Sequence, residues 1–123
     1  MKLFVALGSI NAFLAVALGA FGAHGLKSKV SAEMLAVWQT GVQYHMFHAL
    51  GLILLGILLH LLPQAGLLQI SGWLLFSGVV LFSGSLYLMV LSDLRALGAV
   101  TPLGGILFLL GWLLMAFSVW RNL

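Results

Sequence analysis

Between Glu33 and Asp93 the chain carries no lysine, arginine, aspartate or glutamate. The same is true from Leu3 to Leu26 and from Ala96 to Trp120. An uncharged apolar run of at least about 18 residues reads as a membrane span. A bilayer interior leaves backbone groups without water, so such runs must be helices or strands of a closed barrel. These runs lack the alternation of barrel strands. The reading is an all-α membrane protein, a bundle of four transmembrane helices.

The spans fall at about 3–23, 44–62, 67–91 and 102–120, within a single integral membrane domain covering 1–123. Four helices of roughly 20 residues leave only loops and termini, too little for a separate soluble domain. Charged residues form 6% of the sequence and apolar ones 63%, far from the roughly one-quarter charged composition of a soluble surface. The net charge of +3 rests on five basic residues scattered at span ends. That is juxtamembrane charge rather than the clustered basic face of a nucleic-acid binder. Cysteine is absent, which removes thiol catalysis, disulfides and thiolate metal sites. The lysine and apolar stretch at the N-terminus resemble a signal peptide, but the apolar part runs about 20 residues and contains Asn11, so a retained first span is expected.

Punctuation between the spans is clear. Pro63 and Gly66 in "LLPQAGLL" mark a tight antiparallel connection. Thr101-Pro102 reads as an N-cap followed by proline at the first helical position. Ser31 reads as the cap of an interfacial helical segment between spans one and two, "AEMLAVW", or of an extension of span two hinged near Gly41. Lys27, Lys29 and Arg95 lie on one side of the membrane and Lys2 and Arg121 on the other. This slight excess places the first and third loops in the cytoplasm.

Lipid removes most of the hydrophobic drive between helices, so small residues mark where backbones touch. Gly8, Ala12, Ala15, Gly19 and Gly22 alternate spacings of four and three along span one. Gly104, Gly111 and Ser118 repeat at seven in span four. In span three, Ser71, Gly78 and Ser85 repeat at seven, with Ser77 and Gly84 doing so beside them. Seams at a period of 3.5 predict left-handed close packing.

The unusual chemistry is concentrated between Phe21 and Gly51. Thr40, Tyr44 and His48 are four apart on one helical face, with His45 three residues before His48. The first loop returns His24 to the same membrane surface, where Gln43, Asp93, Arg95 and Ser85 also belong. The expected polar cluster is therefore His24, Thr40, Gln43, Tyr44, His45, His48 and Ser85. Three uses compete for it. The structural one has these groups hydrogen-bonding across helices. A second makes His24 and His48 axial ligands of a haem or part of a transition-metal shell. With only Glu33 and Asp93 as carboxylates, a carboxylate-bridged di-metal site is excluded within one chain. The third is a route for a proton or small solute, for which Asn11 and the serines of span three are the midplane candidates. No nucleophile, base and oxyanion set is present, so no enzyme is expected, and no cofactor is assigned under the structural reading. His60 reads as an interfacial anchor on the opposite surface, and Tyr87, Trp73 and Trp112 as packing or belt residues.

"GAFGAHGLK" at 19–27, "TGVQYHMFHAL" at 40–50, "LFSGSLYLMVL" at 81–91 and "TPLGGILFLLGW" at 101–112 together resemble the YgdD/YwdK-type small membrane proteins. The motifs cover nearly the whole chain in order and spacing. The resemblance implies a four-span protein of a bacterial inner membrane and no defined activity. His45 stands where that family pattern has glutamine, which leaves His24 and His48 as the family-type histidines. The expected partners are the lipid bilayer and either a second copy or a larger membrane protein.

Overall fold

The computed structural model describes residues 2–123 and contains four long helices. They are α1 (Lys2–Phe21), α2 (Ala32–Leu61), α3 (Gly66–Ser92) and α4 (Thr101–Asn122). All four are long and apolar enough to cross a membrane. A π-helical turn, Gly22–Leu26, extends α1, and a 3-10 turn, Arg95–Ala99, precedes α4.

The segment after Ser31 is helical, as expected, but it is not a separate interfacial element. Residues 32–43 are the opening turns of α2, which runs unbroken through Gly41. Ser31 does cap it, its hydroxyl accepting from the Met34 amide at 3.1 Å. At about 1.5 Å per residue the 30-residue helix is about 45 Å long, and the hydrocarbon core is about 30 Å. Its first turns therefore project beyond the apolar layer. There Met34 and Trp38 bury against Leu86, Met89 and Val90 of α3.

The expectation for Thr101 fails in one respect. Thr101 is the first residue of α4 rather than its cap, because the 3-10 turn leaves Val100 already helical in φ and ψ. Its hydroxyl instead meets Ser85 Oγ at 2.6 Å. At the end of α3, Asp93 adopts a left-handed conformation, φ 57°, a common way to stop a helix for a residue with a short polar side chain.

Packing follows chain order: α1 lies on α2, α2 on α3, and α3 on α4. The central pair is α2 and α3, while α1 and α4 turn Phe13, Val16, Leu109 and Leu113 outward. The span-one seam faces α2. A Cβ on Gly8 would stand 2.7 Å from the Ala49 carbonyl oxygen, and one on Gly22 would strike the Trp38 indole. Ala15 is fully buried between them, with Ala12 and Gly19 partly so.

The heptads of α3 and α4 interlock. Ser71 Oγ donates to the Gly111 carbonyl at 2.7 Å, and Gly78 lies against Phe108 and Gly104. Gly104 in turn receives Phe82, and Gly111 receives Leu75. The neighbouring pair Ser77 and Gly84 does not take part. Ser77 is exposed, and nothing approaches the position of a Gly84 Cβ within 4 Å. One residue along a helix is a rotation of about 100°, which carries these two away from α4.

Candidate functional site

The first and third loops meet at one surface, as the topology requires. Arg95 Nη1 donates to Glu33 Oε1 at 2.8 Å, both side chains being well exposed. Beneath that surface the expected polar cluster resolves into two separate arrangements centred on His45 and His48.

His45 is buried where α1, α2 and α3 converge. Its Nε2 lies 2.8 Å from Asn11 Oδ1, and its Nδ1 lies 3.0 Å from the Tyr87 hydroxyl. Asn11 Nδ2 donates to the Leu7 carbonyl at 2.8 Å, so Oδ1 is free only to accept. His45 must then donate from Nε2 and accept the Tyr87 O–H at Nδ1. The direction of every bond in this three-helix chain is thereby fixed.

His48 is three residues on, about 60° round the helix, and faces α4. Its Nδ1 lies 2.8 Å from the Tyr44 carbonyl, and Trp112 Nε1 donates to its Nε2 at 2.9 Å. A carbonyl only accepts and an indole N–H only donates. His48 is therefore protonated on Nδ1, the opposite tautomer to His45. Its ring also stacks on Phe108, with centroids 3.6 Å apart and planes 11° from parallel.

The remaining residues expected in the cluster lie elsewhere. His24 sits in the π-helical turn and is exposed. It has no hydrogen bond to either histidine among the described residues. Thr40 is exposed and donates to the Ala36 carbonyl of its own helix. Ser85 belongs to the α3–α4 contact, between Thr101 and the Phe82 carbonyl. Gln43 and Tyr44 face an open groove between α2 and α4, lined also by Phe82, Phe108 and Trp112, with a volume of about 660 Å³.

Three residues outside the expected cluster prove central. Asn11, Tyr87 and Trp112 supply the partners of the two histidines. Asn11 carried a readable signal, since it is in phase with Gly8 and Ala15 on the buried seam. Other interhelical bonds run from Trp38 Nε1 to the Leu18 carbonyl at 2.8 Å, and from Ser83 to the Gly41 carbonyl at 2.8 Å. Among the buried side-chain polar atoms of the described residues, only the Ser118 hydroxyl has no partner.

As metal or haem ligands, His24 and His48 are poorly disposed. His48 offers a lone pair only if Trp112 gives it up, and His24 lies on the surface. No group of three or more potential metal-binding side chains occurs among the described residues.

Four apolar helices joined by interhelical hydrogen bonds define the class: a polytopic α-helical integral membrane protein with Asn11, His45, His48, Ser71 and Ser83 turned into the bundle. Residues 18–105 match the family described as protein of unknown function (DUF423), and the chain belongs to that family. It is 51% identical over 123 residues to the UPF0382 membrane protein YwdK of Bacillus subtilis (strain 168), covering all of both chains. It is 47% identical over 125 residues to the UPF0382 membrane protein SSP2132 of Staphylococcus saprophyticus, covering 98% of this chain and 99% of the relative. A similar relative, UPF0382 membrane protein SH2409 of Staphylococcus haemolyticus, is also 47% identical, with 98% of each chain covered. No solved structure matches the chain.

Proposed function

We propose that this protein is a non-enzymatic structural or accessory component of a bacterial inner membrane, acting by association with a second copy or a larger membrane protein. The observation that carries this reading is the saturation of its two buried histidines. Both ring nitrogens of His45 and of His48 already hold partners on neighbouring residues. In hydrocarbon such bonds serve to join helices. The Tyr87–His45–Asn11 chain ends at the Leu7 carbonyl of Asn11's own helix, and no further side chain continues it among the described residues. With the interior occupied in this way, the lipid-facing sides of the helices are the surfaces left for association, those of α1 and α4 among them.

The test places a photo-crosslinking residue at Phe13 or Leu113, both exposed, in cells at native expression. A discrete adduct, with a second copy or one larger membrane protein, is the expected result. Monomer alone at both positions would overturn the reading. A visible spectrum with metal analysis of gently purified protein separates the runner-up: a Soret band or stoichiometric metal would replace association with ligand chemistry at His48.

A further inference from the structure

We propose that the groove between α2 and α4 binds a neutral, lipid-soluble ring carrying carbonyl oxygens, of the quinone class. Pro102 and Gln43 line the end nearest the first and third loops, and Trp112 lies ten residues deeper on α4. Ten helical residues span about 15 Å, half of a hydrocarbon core of about 30 Å. The groove thus runs from the headgroup boundary to near the bilayer centre, and its volume of about 660 Å³ lies in the range of small-molecule sites.

Its chemistry narrows the occupant. No charged side chain lines it, so an ion would lose hydration without compensation. Both nitrogens of His48 are engaged, so it offers no ligand to a metal. The donors still available are the Tyr44 hydroxyl and the Gln43 amide, which have no side-chain hydrogen-bond partner among the described residues. Both lie at the shallow end, where they complement carbonyl acceptors. The walls carry rings held in place: His48 stacks on Phe108 with centroids 3.6 Å apart, and Tyr44 lies within 14° of parallel to both. Offset or edge contacts with such rings favour another ring over an acyl chain, which gains burial alone. A groove reaching only half the membrane is too short to seat a spanning helix. The groove takes in Ile106 and Leu109 on one side of α4, while the crosslinking positions Phe13 and Leu113 lie outside its lining, so the two proposals are tested separately.

The full chain in lipid nanodiscs, titrated with a short-tailed benzoquinone while tryptophan fluorescence is followed, tests the site. Quenching is expected to saturate near one quinone per chain above the partitioning seen in protein-free discs. Gly105 lines the groove, and a Cβ there meets only Phe82 Cδ2, at 4.0 Å. Gly105→Leu therefore fills the groove and should abolish the saturable component. Tyr44→Phe keeps the ring and removes the donor, which should weaken binding about tenfold, one hydrogen bond's worth. Near-UV circular dichroism establishes that each variant is folded. If Gly105→Leu does not fold, Tyr44→Phe decides. Unsaturable quenching in the wild type would overturn the proposal, as would full affinity in Tyr44→Phe or in a folded Gly105→Leu. Displacement of the quinone by an equal concentration of methyl oleate would show an ordinary lipid cleft and overturn it too.

Discussion

The Trp112 indole donates to His48 Nε2 across 2.9 Å, and this bond is the polar tie between α4 and α2. Removing either partner strands the other. His48→Phe and Trp112→Phe are each expected to lower stability by about 0.6–1.7 kcal/mol, from the average to the largest value found for hydrogen bonds between membrane helices. The double variant leaves neither group unpaired and should cost less than the sum of the singles. Reversible unfolding in mixed micelles measures all three. Strict additivity would mean that the bond contributes nothing.

His45 sits in a chain with one donor and one acceptor in use, Nε2–H to Asn11 and Nδ1 from Tyr87. A glutamine amide also offers a donor and an acceptor. His45→Gln should therefore stay within about 0.5 kcal/mol of the wild type, while His45→Leu strands Asn11 Oδ1 and should cost about 1 kcal/mol or more. Equal losses from the two substitutions, in the same unfolding assay, would show that ring shape rather than hydrogen bonding matters at this position.

Gly8 and Gly84 make a matched pair of tests. At Gly8 a methyl would meet the Ala49 backbone oxygen, which cannot move aside without parting α1 from α2. Gly8→Ala should destabilise by about 1–3 kcal/mol, as overpacking does. At Gly84 the space is open, and alanine is the better helix former by about 1 kcal/mol. Gly84→Ala should raise the midpoint of thermal unfolding in detergent. A loss at Gly84 would reveal a neighbour there in the assembled protein.

Ser71 and Ser118 occupy equivalent seam positions with opposite prospects. Ser71 donates to Gly111, while the Ser118 hydroxyl has no partner among the described residues. Ser71→Ala should cost about 1 kcal/mol, and Ser118→Ala should be neutral or stabilising by a similar amount. Thermal unfolding of the two variants side by side decides it.

Much of the fold was legible because small residues record backbone contact directly. Gly8, Gly22, Gly104 and Gly111 mark the α1–α2 and α3–α4 contacts by their register alone. The same rule overreached at Gly84, since two parallel heptads in α3 differ only by azimuth, and a single sequence does not say which one faces a partner. The polar cluster was less legible for the same reason. His45 and His48 are three residues apart, which reads as one face, yet about 60° of rotation sends one toward α1 and α3 and the other toward α4. Their partners Asn11, Tyr87 and Trp112 lie on three other helices, and no local pattern joins them. His24 was drawn into the cluster by topology, which fixes a membrane surface but not a distance across it.

The overhang of α2 makes the two sides of this protein unlike. On one side the π-helical turn, the projecting turns of α2, the 3-10 turn and the Glu33–Arg95 pair form a folded rim standing in the headgroups. On the other stand a short link between Leu61 and Gly66, Lys2 at the start of α1 and Arg121 in the last turn of α4. A molecule approaching from the first compartment meets a folded rim bearing an ion pair, and one approaching from the second meets a short link and two basic side chains.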